Sequence, residues 1–141
     1  MTRALTVLLA LVFAAPVWAE GDAAAGENLF KRCKTCHMIK DLGTGEVIVK
    51  GNKTGPNLWG IIGSQAGTVE GFKYGDDLVA AGEAGLVWTE ANLAEFSADP
   101  KAFLRTYLDD NGAKSRMSFK LRKGGADVAA YLATFGPAPS E

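Results

Sequence analysis

The two cysteines of this chain and its single histidine lie within five consecutive positions, Cys33-Lys34-Thr35-Cys36-His37. The C-x-x-C-H spacing is typical of a c-type haem attachment site, in which two thiols add to the vinyl groups and the adjacent imidazole binds the iron. The residues therefore predict one covalently bound haem. Cys33 and Cys36 are its expected attachment points, and His37 is its expected axial ligand.

Other sites that use cysteine and histidine fit these residues less well. A structural zinc site needs four such ligands, and the whole chain has three. A thioredoxin-like thiol pair follows a strand, whereas the sequence before Cys33 has helical periodicity. A simple disulfide loop is a further alternative, but it leaves His37 without a role. A thiol–disulfide protein of this kind would have no haem absorbance.

The second axial ligand of the iron follows by elimination. The chain has one histidine and three methionines. Met1 is removed with the N-terminal signal peptide described below. Met38 directly follows the proximal ligand, so it cannot reach the opposite face of the macrocycle. Met117 is left, in a loop-like stretch, with core packing as its alternative role. Ligation by histidine and methionine raises the reduction potential and closes the iron to small ligands, which favours one-electron transfer.

The N-terminal segment is typical of an export signal. Arg3 precedes an almost unbroken apolar run to Trp18, and small residues flank the tryptophan as they do before a cleavage site. We expect a Sec-type signal peptide at residues 1–19, cleaved after Ala19, and a mature periplasmic domain at residues 20–141. An uncleaved membrane anchor is the alternative, but such a helix needs about 20 apolar residues, more than this run contains.

Length and charge limit the function classes. The chain has 141 residues, of which 48% are apolar and 22% charged, with a formal net charge of -1. This composition fits one globular domain. A charge so close to neutral argues against general binding to nucleic acid or to membrane surfaces. We expect a monomer with no nucleic-acid partner and no stable membrane anchor.

The rest of the chain predicts short helices joined by irregular segments. Helical features occur in five places: residues 22–33, 76–81, 90–98, 100–108 and 125–135. Thr89 is a good N-cap for the third of these helices, and Pro100 suits the first turn of the fourth. A short alternating piece at residues 46–50 predicts a hairpin. Since the long irregular middle is unusual for an ordinary domain, we expect an all-α fold wrapped around one haem.

Several sequence segments together resemble those of a known family. They are C-K-T-C-H at 33–37, K-T-G-P-N-L-W-G at 53–60, G-F-K-Y at 71–74, Trp88, D-P at 99–100, M-S-F at 117–119 and A-A-Y-L at 129–132, with Gly26 and Phe30 before them. The mature chain resembles class I c-type cytochromes and, within them, the cytochrome c2 group, which includes cytochrome c550-like proteins. The resemblance implies the small class I cytochrome c fold and a soluble one-electron carrier.

The resemblance also gives roles to five residues around the haem: Pro56, Tyr74, Trp88, Ser115 and Phe119. The carbonyl of Pro56 would accept a hydrogen bond from the second ring nitrogen of the proximal histidine. Tyr74 and Trp88 would donate to a buried propionate, with core packing as their alternative role. Ser115 would lie near the second propionate, and Phe119 would cover the exposed haem edge. Gly26, Phe30 and Tyr131 would form the contact between the first and last helices.

Two residues depart from the family pattern. Ser64 stands where an arginine is common, so one charge partner for a propionate is missing. Phe96 stands where many members have a tyrosine that hydrogen-bonds the methionine sulfur. Our hypothesis is that both differences change the redox potential without changing the ligands.

The placement of charge suggests how partners dock. Basic residues flank both ligand segments: Lys31, Arg32 and Lys34 beside the cysteines, and Lys114, Arg116, Lys120, Arg122 and Lys123 around the methionine. We call these eight residues the basic ring. If both ligands bind one iron, the ring surrounds the haem edge and steers transient, salt-dependent docking to acidic surfaces. Scattered solubilising charges are the alternative.

The family resemblance implies the identity of the partners. The cytochrome bc1 complex would be the electron donor, and a photosynthetic reaction centre or a terminal oxidase the acceptor, in photosynthesis or respiration.

A different functional class is a haem-based sensor or peroxidase-like enzyme in which Met117 leaves the iron. The chain has no second histidine to favour it.

Overall fold

The computed structural model describes residues 21–137. The signal peptide predicted at residues 1–19 lies outside the described residues. The described part contains five α-helices, a short 3₁₀ turn and a two-stranded antiparallel sheet. In chain order they are α1 (Ala23–Phe30), the turn (Cys33–Thr35), β1 (Ile39–Lys40), β2 (Val47–Val49), α2 (Asp76–Glu83), α3 (Glu90–Ala98), α4 (Pro100–Leu108) and α5 (Gly125–Ala133). The predicted all-α class is confirmed.

Local side-chain caps explain where helices α1 and α3 begin. Asp22 caps α1 by accepting from the Ala24 amide at 2.8 Å. Thr89 forms a capping box with Asn92, in which each side chain accepts from the other residue's amide. These bonds satisfy amides that have no partner within the helix. The predicted starts of α3 after Thr89 and of α4 at Pro100 are confirmed.

The first and last helices cross in close contact. A Cβ on Gly26 would lie only 2.8 Å from the Cβ of Tyr131, so the absence of a side chain lets the backbones approach. The rings of Phe30 and Tyr131 pack with centroids 5.5 Å apart. The predicted contact between the two terminal helices is confirmed. On another side, α5 meets α3, where Gly125 lies against Ala94.

Three predicted helix ends are wrong by a few residues. Helix α1 ends at Phe30, not at residue 33, because the chain turns into the 3₁₀ segment that carries the first cysteine. Helix α2 continues to Glu83, past the predicted end at residue 81. Helix α5 ends at Ala133, because the amides of Thr134 and Phe135 bond three residues back rather than four. Helix ends tightened in this way are common.

The hairpin predicted at residues 46–50 is present. β2 pairs antiparallel with β1, with Ile39 opposite Val49 and Lys40 opposite Val47, so the ladder contains a bulge. Asn57 ties this hairpin to the irregular segment that follows, since its side chain accepts from the Lys40 amide at 2.9 Å and donates to the Lys40 carbonyl at 2.7 Å.

Within residues 21–137, no helix combines the length and apolar character needed to cross a membrane. The core contains Ile39, Leu104 and Leu121, all almost completely buried. It is continuous with the wall of a large internal cavity, described next, which Leu121 also lines.

Candidate functional site

A mainly apolar cavity of about 770 Å³ occupies the middle of the protein. All nine residues that the sequence analysis places around a haem line it: Cys33, Cys36, His37, Pro56, Tyr74, Trp88, Ser115, Met117 and Phe119. Its volume lies within the usual range for ligand and cofactor sites. The fold therefore brings together residues that are distant in sequence and whose common predicted role is to surround one haem.

The cysteine segment is positioned by a tight turn. The amides of Cys36 and His37 both donate to the Cys33 carbonyl, at 3.0 and 2.9 Å. This turn directs both cysteines to the cavity, where neither is in a disulfide. Burial raises the pKa of the Cys33 thiol to about 11, although the nearby Arg32 opposes the shift. Thiols used for disulfide exchange have a lowered pKa, so this environment does not fit the thiol–disulfide alternative.

His37 is oriented by the carbonyl predicted to bind it. Its Nδ1 lies 2.9 Å from the Pro56 carbonyl oxygen. Burial lowers the pKa of His37, with the Pro56 hydrogen bond acting in the opposite direction. At neutral pH the ring is therefore uncharged, with Nδ1–H donating to Pro56. The lone pair of Nε2 is then available, as metal ligation by a neutral imidazole requires.

Gly55 makes room for the histidine ring, and the sequence analysis missed it. A Cβ at this position would lie 2.6 Å from His37 Nδ1. The Gly55 amide also donates to the Cys36 carbonyl at 2.7 Å. No non-glycine side chain fits there without moving the ring. The signal available in the sequence is the glycine directly before Pro56.

The loop that carries Met117, residues 109–124, has no helix or strand and is held from outside. The Lys114 amide donates to Asp77 Oδ2 at 2.8 Å, and Arg116 Nη1 donates to the Lys73 carbonyl at 3.0 Å. We call residues 109–124 the methionine loop. The structural bond of Arg116 was missed by the sequence analysis, which assigned this residue to partner docking alone.

Aromatic residues form another part of the wall. Trp88 is buried and packs on Phe96 with ring centroids 5.0 Å apart. Burial raises the pKa of Tyr74, with a hydrogen bond to the Val69 backbone opposing the shift. The phenol therefore keeps its proton at neutral pH. Both Tyr74 and Trp88 offer a neutral hydrogen-bond donor on the cavity wall.

The cysteine segment and the methionine loop also meet each other. The guanidinium of Arg32 lies over the Phe119 ring, 5.1 Å from its centroid. Both side chains line the cavity. Such a cation–π contact is worth about 0.5–1 kcal/mol at an exposed site. It joins the two segments that carry the expected axial ligands.

The basic ring is partly assembled around the cavity. Arg32, Lys114 and Arg116, which come from both halves of the ring, line the same cavity. Lys120 instead forms an ion pair with Asp99, at 2.6 Å between Nζ and Oδ2. This pairing reduces the charge that Lys120 offers to a partner.

The two departures from the family pattern have different surroundings. The Ser64 hydroxyl donates to the Ile61 carbonyl at 2.7 Å, and of the described residues Ser64 is not among those that line the cavity. Phe96 does line the cavity and is 6% exposed. Their effects on the redox potential remain predictions.

Comparisons with known proteins identify relatives of this chain. No protein-family model matches it. It is 63% identical over 135 residues to cytochrome c-551 of Roseobacter denitrificans, covering 95% of this chain and 96% of that protein. It is 58% identical over 125 residues to cytochrome c2 of Rhodobacter capsulatus, covering 89% and 90%.

Solved structures agree with these relatives. The X-ray structure of ferric cytochrome c-550 from Paracoccus versutus matches with a TM-score of 0.80 and 50% identity, over 84% of this chain and all of that one. The structure of cytochrome c2 from Rhodobacter capsulatus gives a TM-score of 0.79 and 57% identity, over 81% of this chain and 97% of that one.

Proposed function

Since this chain belongs to the cytochrome c2 group of class I c-type cytochromes, we propose that it carries single electrons between membrane redox complexes in the periplasm. It is an electron-transfer protein with one covalent c-type haem, and it is not an enzyme. When bound, the haem supplies one-electron exchange between ferric and ferrous iron. The relatives do not favour the alternative of a small-ligand sensor or peroxidase-like enzyme.

In this proposal, four residues hold the group. Cys33 and Cys36 form the covalent links, and His37 and Met117 are the axial ligands. The observation that carries the proposal is that these residues, from two distant segments, line one apolar cavity. The free thiols and the uncharged imidazole have the chemical states that the attachment and the ligation need.

The other cavity residues would orient the histidine ring and shield the haem. Pro56 holds the histidine ring at a fixed angle, which also keeps its second nitrogen directed away from the carbonyl. Tyr74 and Trp88 would donate to a buried haem propionate, whose charge would be costly without partners, and Ser115 would lie near the second propionate. Phe119 would exclude water from the exposed haem edge, and Arg32 packs over its ring.

The ligand assignment is tested by an optical spectrum of the purified holoprotein. The reduced-minus-oxidised difference should be a sharp low-spin c-type spectrum that carbon monoxide does not alter. Met117→Leu should make the spectrum sensitive to carbon monoxide, because the sixth position opens. Met38→Leu is the matched control and should leave it unchanged. Sensitivity in the wild type, or indifference in Met117→Leu, would contradict the assignment, and absence of haem bands would refute the haem-carrier proposal as a whole.

We also infer export with cleavage after Ala19. The apolar N-terminal segment and the periplasmic family support it. Mass spectrometry of the protein from a periplasmic fraction should give a mature chain that begins at residue 20. A chain that retains residues 1–19 and sediments with membranes would instead indicate an uncleaved anchor.

For the partners, we infer a cytochrome bc1 complex as donor and a reaction centre or terminal oxidase as acceptor. The cavity-lining cations Arg32, Lys114 and Arg116 support docking at acidic surfaces. Lys114→Glu should slow electron transfer with each complex and weaken its salt dependence. Lys101→Glu, a charge change away from the cavity, is the control. Equal effects of the two variants would mean that net charge alone, and no local ring, guides docking.

A further inference from the structure

The five residues centred on the expected sixth ligand make few directional contacts. We call residues 115–119 the methionine segment. The Lys114 amide before it is bonded to α2, and the Leu121 amide after it donates to a carbonyl of α3 at 2.8 Å. Between these two bonds, in the described part of the chain, the methionine segment makes one hydrogen bond, from Arg116 Nη1 to the Lys73 carbonyl at 3.0 Å. This bond ties the segment to another part of the fold.

The aliphatic part of Arg116 is fitted to the chain that it binds. A Cβ on Gly75 would lie 3.2 Å from Arg116 Cγ and 3.5 Å from Cδ, so the glycine leaves room for the arginine stem. The guanidinium then reaches the carbonyl two residues earlier, at Lys73. Arg116 thus contacts both neighbours of Tyr74, one through its stem and the other through Nη1. Two points of contact restrict a long side chain more than one does.

The acceptor of this bond lies in a segment that is itself ordered. The Phe72 amide donates to the Val69 carbonyl at 3.3 Å. The rings of Phe72 and Tyr74 pack edge-on, with centroids 4.8 Å apart. On the other side of Lys73, the Gly75 carbonyl accepts from two amides of α2. Because contacts hold the chain on both sides of it, the Lys73 carbonyl is a fixed point to which the methionine loop can be tied.

From these contacts we propose that Arg116 is a positioning residue for Met117, which it holds in the cavity through its bond to the Lys73 carbonyl. This role rests on the proposed function, in which Met117 is the sixth ligand of the iron. The methionine side chain is partly buried against the core, so apolar contact draws it inward, while the bond of Arg116 fixes the backbone beside it. Loss of that bond increases the fraction of molecules in which the sixth position is open.

Arg116 can hold this position and still take part in docking. A guanidinium has five N–H donors. In the described part of the chain, the Arg116 guanidinium donates one hydrogen bond, through Nη1. Its other donors can pair with the carboxylates of an acidic partner, so the proposed docking role of Arg116 and its positioning role do not compete.

Imidazole binding to the ferric holoprotein tests the positioning role. The wild type should bind imidazole weakly, because the added ligand takes the sixth position only after Met117 has left. Arg116→Gln keeps the side-chain carbons as far as Cδ, but its amide ends two bonds short of Nη1. Loss of an exposed hydrogen bond from a charged donor should raise the open fraction, and with it the apparent affinity for imidazole, by about fivefold.

Two control variants separate position from charge and from stability. Arg122→Gln removes the same charge from the methionine loop, and in the described part of the chain Arg122 makes no side-chain hydrogen bond. Thr89→Ala removes the N-cap of α3, which lowers the global stability without changing the methionine segment. Both variants should keep the wild-type affinity for imidazole. A gain in either control that equals the gain in Arg116→Gln overturns the proposal.

Met117→Leu separates this test from that of the proposed function. This variant opens the sixth position outright, so it should bind imidazole much more tightly than the wild type, and Arg116→Gln should add no further gain to it. If Met117→Leu binds no better than the wild type, the ligand assignment fails and the role of Arg116 fails with it. If Met117→Leu binds tightly but Arg116→Gln alone matches the wild type, the assignment stands and the positioning role is overturned. An equal gain from Arg116→Gln in the Met117→Leu background would also overturn it, because Arg116 would then act on imidazole directly.

Discussion

The two sides of the cavity are built in different ways. On the histidine side, every contact ends on a backbone carbonyl: the His37 amide bonds to Cys33, the Gly55 amide to Cys36 and the imidazole to Pro56. On the methionine side, the contacts depend on side chains: Asp77 of helix α2 accepts from the Lys114 amide, and the loop's own Arg116 donates to the Lys73 carbonyl. Loss of a single side chain should therefore release a contact on the methionine side, whereas the carbonyls on the histidine side are present whatever the side chain.

The largest expected effect is on the histidine side. Gly55→Ala places a methyl group 2.6 Å from His37 Nδ1, so the ring or the backbone has to move. Overpacking of this kind costs about 1–3 kcal/mol, and a displaced ring also breaks the bond to Pro56. We expect a loss of about 3 kcal/mol in unfolding free energy by denaturant titration of the holoprotein.

The control for this variant is Gly43→Ala, where the nearest atom to the new methyl is the movable Asp41 carboxylate at 3.3 Å. It should cost much less. If the two variants are equally stable, Gly55 does not constrain the histidine, and the contrast between the two sides of the cavity weakens.

The methionine side should respond to loss of a single remote side chain. Asp77→Ala removes the acceptor of the Lys114 amide and leaves that amide to water. The hydrogen bond to a charged group is worth about 1.5–3 kcal/mol, reduced here because both groups are partly in water, so we expect a loss of about 1 kcal/mol. The absorbance band that reports methionine ligation should weaken at lower denaturant concentration than the Soret band shifts.

Asp76→Ala is the matched control, because it removes a neighbouring carboxylate from the same first turn of α2. A simple effect of charge on the helix would give both variants the same loss. In that case the Asp77 contact does not hold the methionine loop.

The difference between the two sides also explains how far the sequence could predict the structure. The C-x-x-C-H spacing is local, so it predicts Cys33, Cys36 and His37 directly, and helix starts at Thr89 and Pro100 follow from local caps. The contacts of the methionine loop join positions about 40 residues apart, as for Arg116 and Lys73. No local pattern contains that information, so the structural role of Arg116 was missed.

Ion pairs between residues far apart in sequence could not be predicted from local patterns either. Lys120 was assigned to the basic ring, whereas it forms an ion pair with Asp99. The predicted end of helix α5 was wrong for another reason. Its last turn tightens through bonds of the Thr134 and Phe135 amides, and the spacing of apolar residues does not distinguish such a turn from a continued helix.

A smaller effect is expected at the aromatic wall of the cavity. Phe96→Tyr adds a hydroxyl to a side chain that is 6% exposed and lines the cavity with Met117. A hydrogen bond to the methionine sulfur weakens the electron donation from the sulfur to the ferric iron. The midpoint potential should therefore rise. One hydrogen bond of about 1 kcal/mol corresponds to a shift of about 40 mV.

Voltammetry measures this shift, and Phe103→Tyr is the control, since Phe103 packs edge-on against Phe96 with centroids 5.7 Å apart. An unchanged midpoint and unchanged methionine lability in Phe96→Tyr would refute our hypothesis that this position sets the potential. Ser64→Arg tests the other departure: restoring the arginine that is common in the family should raise the potential, and an unchanged midpoint would refute that half of the hypothesis.

The smallest expected effect is the pH dependence of one surface contact of the methionine loop. The hydrogen bond from Lys120, followed by the bond from the Ala102 amide, holds the pKa of the Asp99 carboxyl below its usual value. The ionised carboxylate is therefore favoured in the folded state. Its contribution is fully present above the pKa of the unfolded chain and is lost as the pH falls through the lower folded value. Because the pair is exposed, the contribution is small and declines with salt.

We expect Lys120→Gln to lower the melting temperature slightly at neutral pH and down to about pH 4. Below that, the difference from the wild type should vanish as Asp99 becomes protonated in both proteins. Lys123→Gln removes a nearby exposed charge that has no carboxylate partner among the described salt bridges, so it separates the contact from a general charge effect. A difference for Lys120→Gln that persists in acid would mean that the side chain stabilises the loop by packing. The methionine side would then depend less on charge than the contacts of Asp77, Arg116 and Lys120 indicate.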